Sequence, residues 1–345
     1  MKNKVKLGDM VNIKTGKLDA NAAVANGKYP FFTTSEETFK IDTYAYDDEA
    51  ILVAGNGNLN IKYFYGKFNA YQRTYILTKK ENINVNIKYI YYFLDKYLET
   101  LRSLSIGGVI KYIKLENLVN PVLDLPTIEV QNKVVKKLDT LKKILDMYRK
   151  KINILSDFNK SLFTIMFGDI KTNDKNWEIK KLGEVIQTQY GTSKKATSIV
   201  TGFPILRMNN ITYSGEMDYR DLKYIELSDN EKEKFLLKKG ELLFNRTNSK
   251  ELVGKTGLFE LDTPMAFAGY LIKMKPSNLI HSKFLLFFMN SEFMKKLLYN
   301  KAKNIVGMAN INAKELEDFS IILPPIELQN KFAERIEKIE KLSFE

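Results

Sequence analysis

The sequence predicts an α+β protein with two domains in tandem, in which each domain is followed by a long helix and the two helices pack as an antiparallel coiled coil. A nine-residue LP segment occurs twice, as LPTIEVQNK from Leu125 and as LPPIELQNK from Leu323, 198 residues further along the chain. The stretches before each LP segment are rich in β-branched and aromatic residues, and heptad spacing follows each one. Two copies rather than many indicate two globular units and not a solenoid.

A second pair of matching segments lies at the start of each half. VKLGDM at Val5–Met10 corresponds to KLGEVI at Lys181–Ile186, and each is followed by a glycine at the same spacing, Gly16 and Gly191. These segments are 175 residues apart, so the interior of the second half is 23 residues longer. The predicted boundaries are a first domain over 1–124, a long helix over 125–168, a second domain over 169–322 and a shorter helix over 323–345.

Both interiors combine short strands with one amphipathic helix. In the first domain the apolar run EAILVAGNGN, at Glu49–Asn58, closes on glycines. In the second domain Lys238–Pro276 has the same order of strand, polar loop and further strands. Helical periodicity predicts one helix at Ile87–Leu104 and one at Ser282–Tyr299. The domains are therefore α+β, with sheets that we expect to be antiparallel.

The residues after each LP segment repeat in steps of three and four. The predicted seam comprises Gln131, Leu138, Leu145 and Ile152 in the long helix and Gln329, Phe332 and Ile336 in the short one. At ~1.5 Å per residue, about 40 residues make a rod of roughly 60 Å. The long helix is basic and the short helix acidic, which favours antiparallel pairing. Because the short helix is about half as long, half of the long helix lacks a partner in this chain, and we expect another protein to cover it.

Composition favours a polyanionic partner and excludes several kinds of chemistry. The 345 residues include 54 Lys and Arg against 41 Asp and Glu, a formal charge of +13. This surplus favours nucleic-acid binding, although a Lys- and Asn-rich composition is also typical of an AT-rich genome. With no cysteine and one histidine, the chain has no thiol chemistry and no mechanism that needs two imidazoles. The apolar runs are too short to span a bilayer and the amino terminus has no apolar signal region, so we expect a cytoplasmic protein.

The tandem order of these segments resembles the specificity subunits of type I restriction–modification enzymes. The resemblance covers nearly the whole chain: the LG(D/E) element that opens each half, the segments ILVAGNGN and ELLFNRTNSKELVGKTG, Trp177 before the second LG, and the two LP segments. It implies that the globular units are target recognition domains, each reading one half of a split DNA sequence, and that the helices hold the halves apart. The short terminal helix departs from the family pattern, which indicates either a partner that completes the bundle or a compact variant.

The resemblance also implies which partners and cofactors to expect. The chain would be the non-catalytic, sequence-specific DNA-recognition subunit of a methyltransferase and restriction complex, with an asymmetric bipartite target. Its partners would be double-stranded DNA, DNA adenine methyltransferase (M) subunits, two in number, and a restriction or translocase (R) subunit. S-adenosylmethionine, Mg and ATP are expected on those partners and no cofactor on this chain. Two alternatives stay open: a related system whose partner fuses methyltransferase and nuclease, and a stand-alone DNA-binding regulator.

Candidate DNA-binding residues follow from the chemistry of base readout, which uses Arg or Lys for guanine and Asn or Gln for adenine. Loops after strands present such side chains. In the second domain these residues are Asn245, Arg246, Thr247, Asn248, Ser249 and Lys250, and in the first they are Asn56, Asn58, Asn60, Gln72 and Arg73. Candidate phosphate contacts are Lys62, Lys67, Lys194, Lys195, Lys255, Lys301 and Lys303, and Tyr65, Tyr71, Tyr190 and Tyr270 could contact sugars or bases. The alternative is that Asn and Gly here only shape turns.

The sequence lacks the common signatures of catalysis. VGKTG at Val253–Gly257 resembles a phosphate-binding loop, but Ser249 stands where that motif needs a glycine. The acidic residues do not cluster around a lysine in the way a metal-dependent nuclease requires, so we predict neither catalytic residues nor a metal site. The single histidine, His281, has no partner for acid–base work and is expected at a domain surface or as a helix cap.

Overall fold

The computed structural model describes residues 3–305 and 308–344. The chain divides into two compact units, Met1–Tyr148 and Arg149–Glu345, and the division falls within one long helix. We refer to the globular part of unit 1, before that helix, as domain 1. The globular part of unit 2, between the long helix and the last helix, is domain 2.

Unit 1 contains eight described strands and four described α-helices. The strands are β1 (Asn3–Lys6), β2 (Val11–Thr15), β3 (Tyr29–Phe32), β4 (Phe39–Ile41), β5 (Tyr46–Ala54), β6 (Ile61–Ala70), β7 (Thr74–Lys79) and β8 (Val122–Leu125). The helices are α1 (Leu7–Met10), α2 (Ile87–Leu104), α3 (Glu116–Val119) and α4 (Ile128–Phe167), of which α4 continues into unit 2. Six strands form one sheet in the order β2-β7-β5-β6-β3-β4, and β1 pairs with β8.

Unit 2 adds twelve described strands and six α-helices. The strands are β9 (Glu178–Lys181), β10 (Ile186–Tyr190), β11 (Phe203–Leu206), β12 (Lys223–Ile225), β13 (Leu242–Asn245), β14 (Thr247–Asn248), β15 (Thr256–Leu258), β16 (Ala266–Phe267), β17 (Leu271–Pro276), β18 (Lys303–Ile305), β19 (Met308–Asn310) and β20 (Ser320–Leu323). The helices are α5 (Leu182–Val185), α6 (Asp229–Phe235), α7 (Ser282–Asn290), α8 (Glu292–Lys301), α9 (Ala313–Glu317) and α10 (Ile326–Phe344).

The two domains share one strand order. The order β2-β7-β5-β6 in unit 1 corresponds to β10-β17-β13-β15 in unit 2, and the β6-β3-β4 edge corresponds to β16-β11-β12. In both cases an otherwise antiparallel arrangement includes one short parallel pair, β3 with β6 and β11 with β16. The β1–β8 pair likewise matches β9–β20. The α+β tandem architecture predicted from the sequence is therefore confirmed.

The repeated glycines mark a close approach of backbones. A Cβ atom on Gly16 would lie 2.2 Å from the carbonyl oxygen of Ala70, and one on Gly191 would lie 2.3 Å from that of Ala268. No side chain fits at such distances, so both repeats need glycine where the strand β2 or β10 ends. The second repeat thus preserves a steric requirement of the first.

The central sheet of domain 1 is buried on both faces, which explains the unbroken apolar run in β5. Ile51 and Val53 pack with Ile90 and Leu94 of α2, whereas Leu52 points to the opposite face. Neighbouring residues in a strand point to opposite faces, so a strand covered on both sides is apolar throughout. The end of β5 is consequently fixed by packing, and the loop that follows it is presented from a rigid base.

The helix predicted at Ile87–Leu104 has those bounds. The prediction of one continuous helix at Ser282–Tyr299 was wrong, because the chain forms two helices there. The chain forms α7 and α8 with a break at Ser291, whose backbone is extended with φ −62° and ψ 152°. The Ser291 hydroxyl donates to the Phe288 carbonyl at 2.7 Å and accepts from the Met294 amide at 3.2 Å. A serine that satisfies both helix ends competes with continued helix, and periodicity alone does not reveal this.

The helix α4 ends at Phe167, next to Gly168, which has a φ of 82°. Trp177 donates its indole N–H to the Phe167 carbonyl at 2.8 Å, so it caps the helix as well as packing on the core of domain 2. The last turns of α4 contact α10 through Phe163 and Phe167, whose rings lie 5.5 and 5.2 Å from that of Phe332. The antiparallel direction of this pairing stays a prediction.

His281 caps α7, one of the two roles predicted for it. Its Nδ1 accepts from the Lys283 amide at 3.1 Å, and its own amide donates to Gln329 Oε1 at 2.8 Å. Burial lowers the pKa of His281; Lys283 lowers it further and Glu337 opposes the shift. An Nδ1 that accepts a hydrogen bond cannot carry a proton, which agrees with the direction of the shift.

We expect this cap to make the stability of the chain depend on pH. Because the folded pKa lies below the unfolded value of about 6.5, the stabilisation is complete above that value and is lost as pH falls towards the folded pKa. Thermal unfolding midpoints between pH 5 and 7.5 should fall with acidification in the wild type and fall less in His281→Asn, which keeps a capping oxygen. Equal slopes in the two proteins would contradict this assignment.

Candidate nucleic-acid interface

The loops that follow β5 and β13 occupy equivalent positions in the two domains. Ala54 pairs with Thr74 in unit 1, and Asn245 pairs with Leu271 in unit 2. The next residue in each case donates its amide to the neighbouring strand end, from Gly55 to the Arg73 carbonyl and from Arg246 to the Tyr270 carbonyl, at 2.8 and 3.0 Å. The same backbone arrangement therefore presents a different set of side chains in each domain.

Arg246 is held in a defined orientation at this position. Its NH2 group donates to Asn310 Oδ1 at 3.1 Å, and its guanidinium carbon lies 5.0 Å from the ring centroid of Tyr190. Asn310 in turn donates to Thr247 Oγ1 at 2.9 Å, and the Tyr190 hydroxyl accepts from the Ala313 amide at 2.9 Å. A planar guanidinium fixed by an aromatic face and an amide is suited to bidentate recognition of guanine.

Three residues of the predicted DNA-binding set are buried and do not present their side chains to a ligand. Asn245 is fully buried, Thr247 is 5% exposed and Lys255 is 8% exposed. Lys255 donates its ammonium to the carbonyls of Met208, at 2.8 Å, and Ile211, and burial lowers its pKa. The predictions of base contact by Asn245 and of phosphate contact by Lys255 are therefore wrong for this conformation, because both side chains point into the domain.

The remaining candidates in unit 2 lie nearer the surface. Asn248, Ser249 and Lys250 are half-buried, with the Lys250 ammonium 4.5 Å from the Tyr299 ring centroid. Lys194 forms an ion pair with Glu231. The hydrogen bond from Lys194 is the largest of the causes that lower the pKa of the Glu231 carboxyl to about 2. Lys195 and Lys301 are exposed. The side chain of Lys303 lies outside the part of the chain whose side chains the structure describes.

A groove beside this loop contains residues that the sequence-based reasoning missed. It has a volume of about 290 Å³ and is lined in part by Lys194 and Tyr270, which the sequence predicted, and by Arg207, Asn209 and Lys223, which it did not. Arg207 donates to Asp221 Oδ2 at 2.8 Å, and Asn209 donates to the same oxygen at 3.1 Å. The sequence RMNN follows the short apolar strand β11, so the pattern that singled out NRTNSK could also have found this loop.

In unit 1 most of the predicted polar residues are engaged within domain 1. Asn58 donates to Glu36 Oε1 and Asn60 to the Thr34 carbonyl, each at 2.8 Å, and Lys62 donates to the Ser35 carbonyl at 2.6 Å. Burial lowers the pKa of Lys62. These three side chains hold one loop in place, which is the turn-shaping role considered as the alternative.

Several candidates of unit 1 remain accessible. Gln72 is exposed but donates to Asp19 Oδ1 at 2.8 Å. Arg73, Lys67 and Tyr65 are exposed, whereas Asn56 and Tyr71 are half-buried. Gly55 stands where unit 2 carries Arg246, so domain 1 has no arginine at the equivalent position. The two domains therefore offer different hydrogen-bonding groups from the same backbone arrangement.

The predicted helix seam divides into three groups. Gln131 and Gln329 are buried, but each accepts from the N-cap residue of a helix in its own domain, and these bonds do not join α4 to α10. Phe332 and Ile336 are fully buried in unit 2, and Leu138 is half-buried. Leu145 and Ile152 are exposed, as part of an apolar stripe on α4 that comprises Leu141, Ile144, Leu145, Tyr148 and Ile152. The seam prediction is therefore wrong for the two glutamines as contacts between α4 and α10.

Across 3–305 and 308–344, His, Asp and Glu side chains form no group of three or more that could hold a metal ion. In the same described residues, every helix is too short or too polar to cross a membrane.

Comparisons with known proteins give one consistent result. Residues 2–156 and 174–345 each match the family model described as the type I restriction modification DNA specificity domain. The chain is 36% identical over 177 residues to the type I restriction enzyme EcoDI specificity subunit of Escherichia coli, a match that covers 50% of this chain and 39% of that protein. It is 27% identical over 259 residues to the EcoKI specificity subunit of E. coli K12, covering 70% and 56%. The chain thus spans about two fifths to just over half the length of these relatives.

Among solved structures, the S subunit of a type I restriction–modification system from M. genitalium is similar. The TM-score is 0.68 at 16% identity, and the alignment covers 99% of this chain and 90% of that one. At this identity the likeness concerns the fold, and it extends over both units.

Proposed function

Because this chain belongs to the type I restriction–modification DNA specificity family, we propose that it is the DNA-recognition subunit of such a complex and that it reads an asymmetric target in two separated halves. The observation that carries this proposal is the pair of equivalent loops with unlike side chains, Gly55 in one domain and Arg246 in the other. A reader repeated with altered contacts recognises two different half-sites. The net charge of +13 adds the attraction for phosphates that such binding requires.

In this proposal the length of α4 sets the distance between the two half-sites on the DNA. Its 40 residues have a length of roughly 60 Å at ~1.5 Å per residue. A turn of DNA is about 34–36 Å long, so a rod of this length matches half-sites one or two turns apart. The bases between the half-sites would be left unread, and their number would depend on the helix and on how each domain is fixed to it.

The exposed apolar stripe of α4 supports the partner part of the proposal. Leu141, Leu145 and Ile152 are each 56–57% exposed, which is unusual for a row of large aliphatic side chains on one helix face. We propose that DNA adenine methyltransferase subunits, two per complex, cover this stripe, and that an R subunit joins them. The active sites, with S-adenosylmethionine, Mg and ATP, would then belong to those partners in the cytoplasm, and this chain would supply specificity without catalysis.

Mapping of methylated adenines in the host genome tests this function. With the gene present, methylation should occur at a sequence made of two unlike short blocks separated by a fixed number of unread bases, and it should disappear when the gene is deleted. The matched control is deletion of the methyltransferase gene, which should give the same loss. A single uninterrupted or palindromic methylated sequence, or methylation that survives deletion of this gene, would contradict the proposal.

A further inference from the structure

The glutamine of the LP segment is explained neither by base reading nor by helix pairing. Gln131 is 1% exposed and Gln329 is 0% exposed, although each lies in the first turns of an otherwise partly exposed helix. A buried carboxamide is costly unless its donor and acceptor are both satisfied. The partners of these two side chains therefore indicate why the same residue occurs at both positions.

In unit 1 the carboxamide of Gln131 joins the start of α4 to the start of α2. Its Oε1 accepts from the Asn86 amide at 2.9 Å and its Nε2 donates to the Pro126 carbonyl at 2.8 Å. Asn86 is the N-cap of α2 and also donates its side-chain amide to Asn132 at 2.8 Å. One side chain thus fixes the point at which domain 1 passes into the long helix.

Unit 2 repeats this arrangement. Gln329 Oε1 accepts from the amide of His281, the N-cap of α7, and its Nε2 donates to the Pro324 carbonyl, both at 2.8 Å. A further bond reaches the Leu279 carbonyl at 3.2 Å. In both units the glutamine therefore ties the LP segment to the N-terminus of the helix of its own domain.

The next contacts along each helix differ in chemistry between the units. In unit 1, Asp139 of α4 accepts from the Lys88 ammonium at 2.8 Å and from the Tyr92 hydroxyl at 2.6 Å, and Lys142 donates to the Tyr91 hydroxyl at 3.0 Å. In unit 2, the contact of α10 with α7 includes the rings of Phe332 and Phe287, 5.1 Å apart. The Lys283 ammonium of α7 also donates to Glu340 of α10 at 2.5 Å, so domain 2 is fastened by aromatic packing together with an ion pair, whereas the contacts of Asp139 and Lys142 with domain 1 are polar.

Little apolar packing supports the polar joint of unit 1. The structure describes every position of α4 from Ile128 to Tyr148, and among these only Gln131 and Val135 are buried. A groove of about 550 Å³ lies between α4 and domain 1, lined in part by Tyr63, Lys88, Tyr91, Asp139 and Lys142. The direction in which domain 1 leaves α4 therefore depends on a few polar bonds.

We propose that Gln131 and Asp139 are positioning residues that set the number of unread bases between the half-sites. This inference rests on the proposed function and goes beyond it, because it assigns spacing to two side chains that bond to domain 1 instead of belonging to the candidate base-reading loops. A shift of domain 1 along α4 by one helical turn would be a movement of about 5.4 Å. Successive base pairs are about 3.4 Å apart, so such a movement changes the reach of domain 1 by one or two base pairs.

The test measures spacer preference separately from base preference. The full chain in complex with its methyltransferase partner is titrated with synthetic duplexes that carry both half-sites and a spacer of the native length or one or two base pairs shorter or longer. We expect the wild type to prefer one spacer about tenfold or more, and Asp139→Asn to reduce that preference to within about threefold. Affinity for the native duplex and the bases preferred in both halves should change little.

Two further variants and one control make the result decisive. Tyr92→Phe removes one bond to Asp139 with no change of shape and should act in the same direction, as should Gln131→Ala. Asp157→Asn alters an exposed α4 carboxylate whose ion pair, with Lys160, stays on its own helix, and it should behave as the wild type. Unchanged spacer preference in Asp139→Asn, or equal weakening at every spacer, would overturn the inference. Spacer-independent binding by the wild type would instead refute the bipartite function itself.

Discussion

Replacing Arg246 by alanine is expected to abolish the preference for one base in one half of the target and to leave the other half intact. A bidentate arginine–guanine contact contributes about 1–3 kcal/mol of discrimination, which corresponds to roughly 5- to 150-fold. The stacking on Tyr190 and the bond to Asn310 hold the guanidinium before DNA arrives, so little ordering remains to be done on binding. Selection of bound sequences from a random duplex library, with the methyltransferase partner present, measures this change base by base.

The matched control for this prediction is Lys195→Ala, because Lys195 is exposed on the same domain. Loss of a phosphate contact should weaken all sequences uniformly and reduce the slope of log affinity against log salt by about one, without altering base preference. Arg246→Lys keeps the charge but loses the fork and should resemble Arg246→Ala in base preference. If Arg246→Ala weakened all sequences equally, Arg246 would contact phosphate and not a base.

Phe332→Ala is expected to produce the largest loss of stability. The ring is fully buried and lies 5.1 to 5.5 Å from the rings of Phe163, Phe167 and Phe287, so it joins α10 to the end of α4 and to α7. Truncation of a buried phenylalanine costs about 3–5 kcal/mol, because transfer energy is lost and a cavity remains. At ~2–4 °C per kcal/mol, the thermal midpoint of unit 2 should fall by roughly 6–20 °C.

Phe158→Ala, on the part of α4 that belongs to unit 2, provides the comparison. Phe158 is 54% exposed, and a surface substitution changes the free energy of unfolding by about 0.5 kcal/mol or less. Both variants are compared in the isolated chain by calorimetry, so that partner binding does not contribute. Similar midpoints for the two would show that the aromatic cluster does not hold unit 2 together.

The edges of the repeat were predictable because they obey steric rules that leave a trace in sequence. Gly16 and Gly191 recur because a backbone passes too close for a side chain, and the LP segments recur because each enters a helix. The bounds of α2 followed from its apolar period. The α7–α8 break did not follow, since Ser291 acts through two local hydrogen bonds that compete with helix continuation and leave the apolar period unchanged.

The candidate interface was only partly predictable, for a reason specific to strand ends. Arg246 and Asn245 are neighbours in the sequence, but adjacent residues point to opposite sides, and the register of β13 decides which one faces outward. Asn58 and Asn60 have the residue type of a base reader, yet their amides are used by a loop more than twenty positions away. A local sequence pattern cannot reveal hydrogen-bond partners that lie so far apart in the chain.

The paired strands at the base of each domain have a mechanical consequence. Asn3 lies opposite Leu125, and Glu178 lies opposite Leu323, so the chain enters and leaves each domain at the same end of a short antiparallel ladder. Tension applied across a domain through the flanking segments would open this ladder one residue pair at a time, starting at that end, before it reached the sheet. The four residue pairs of the ladder would break one after another and not all at once, and the sheet of the domain would not bear the tension until they had opened.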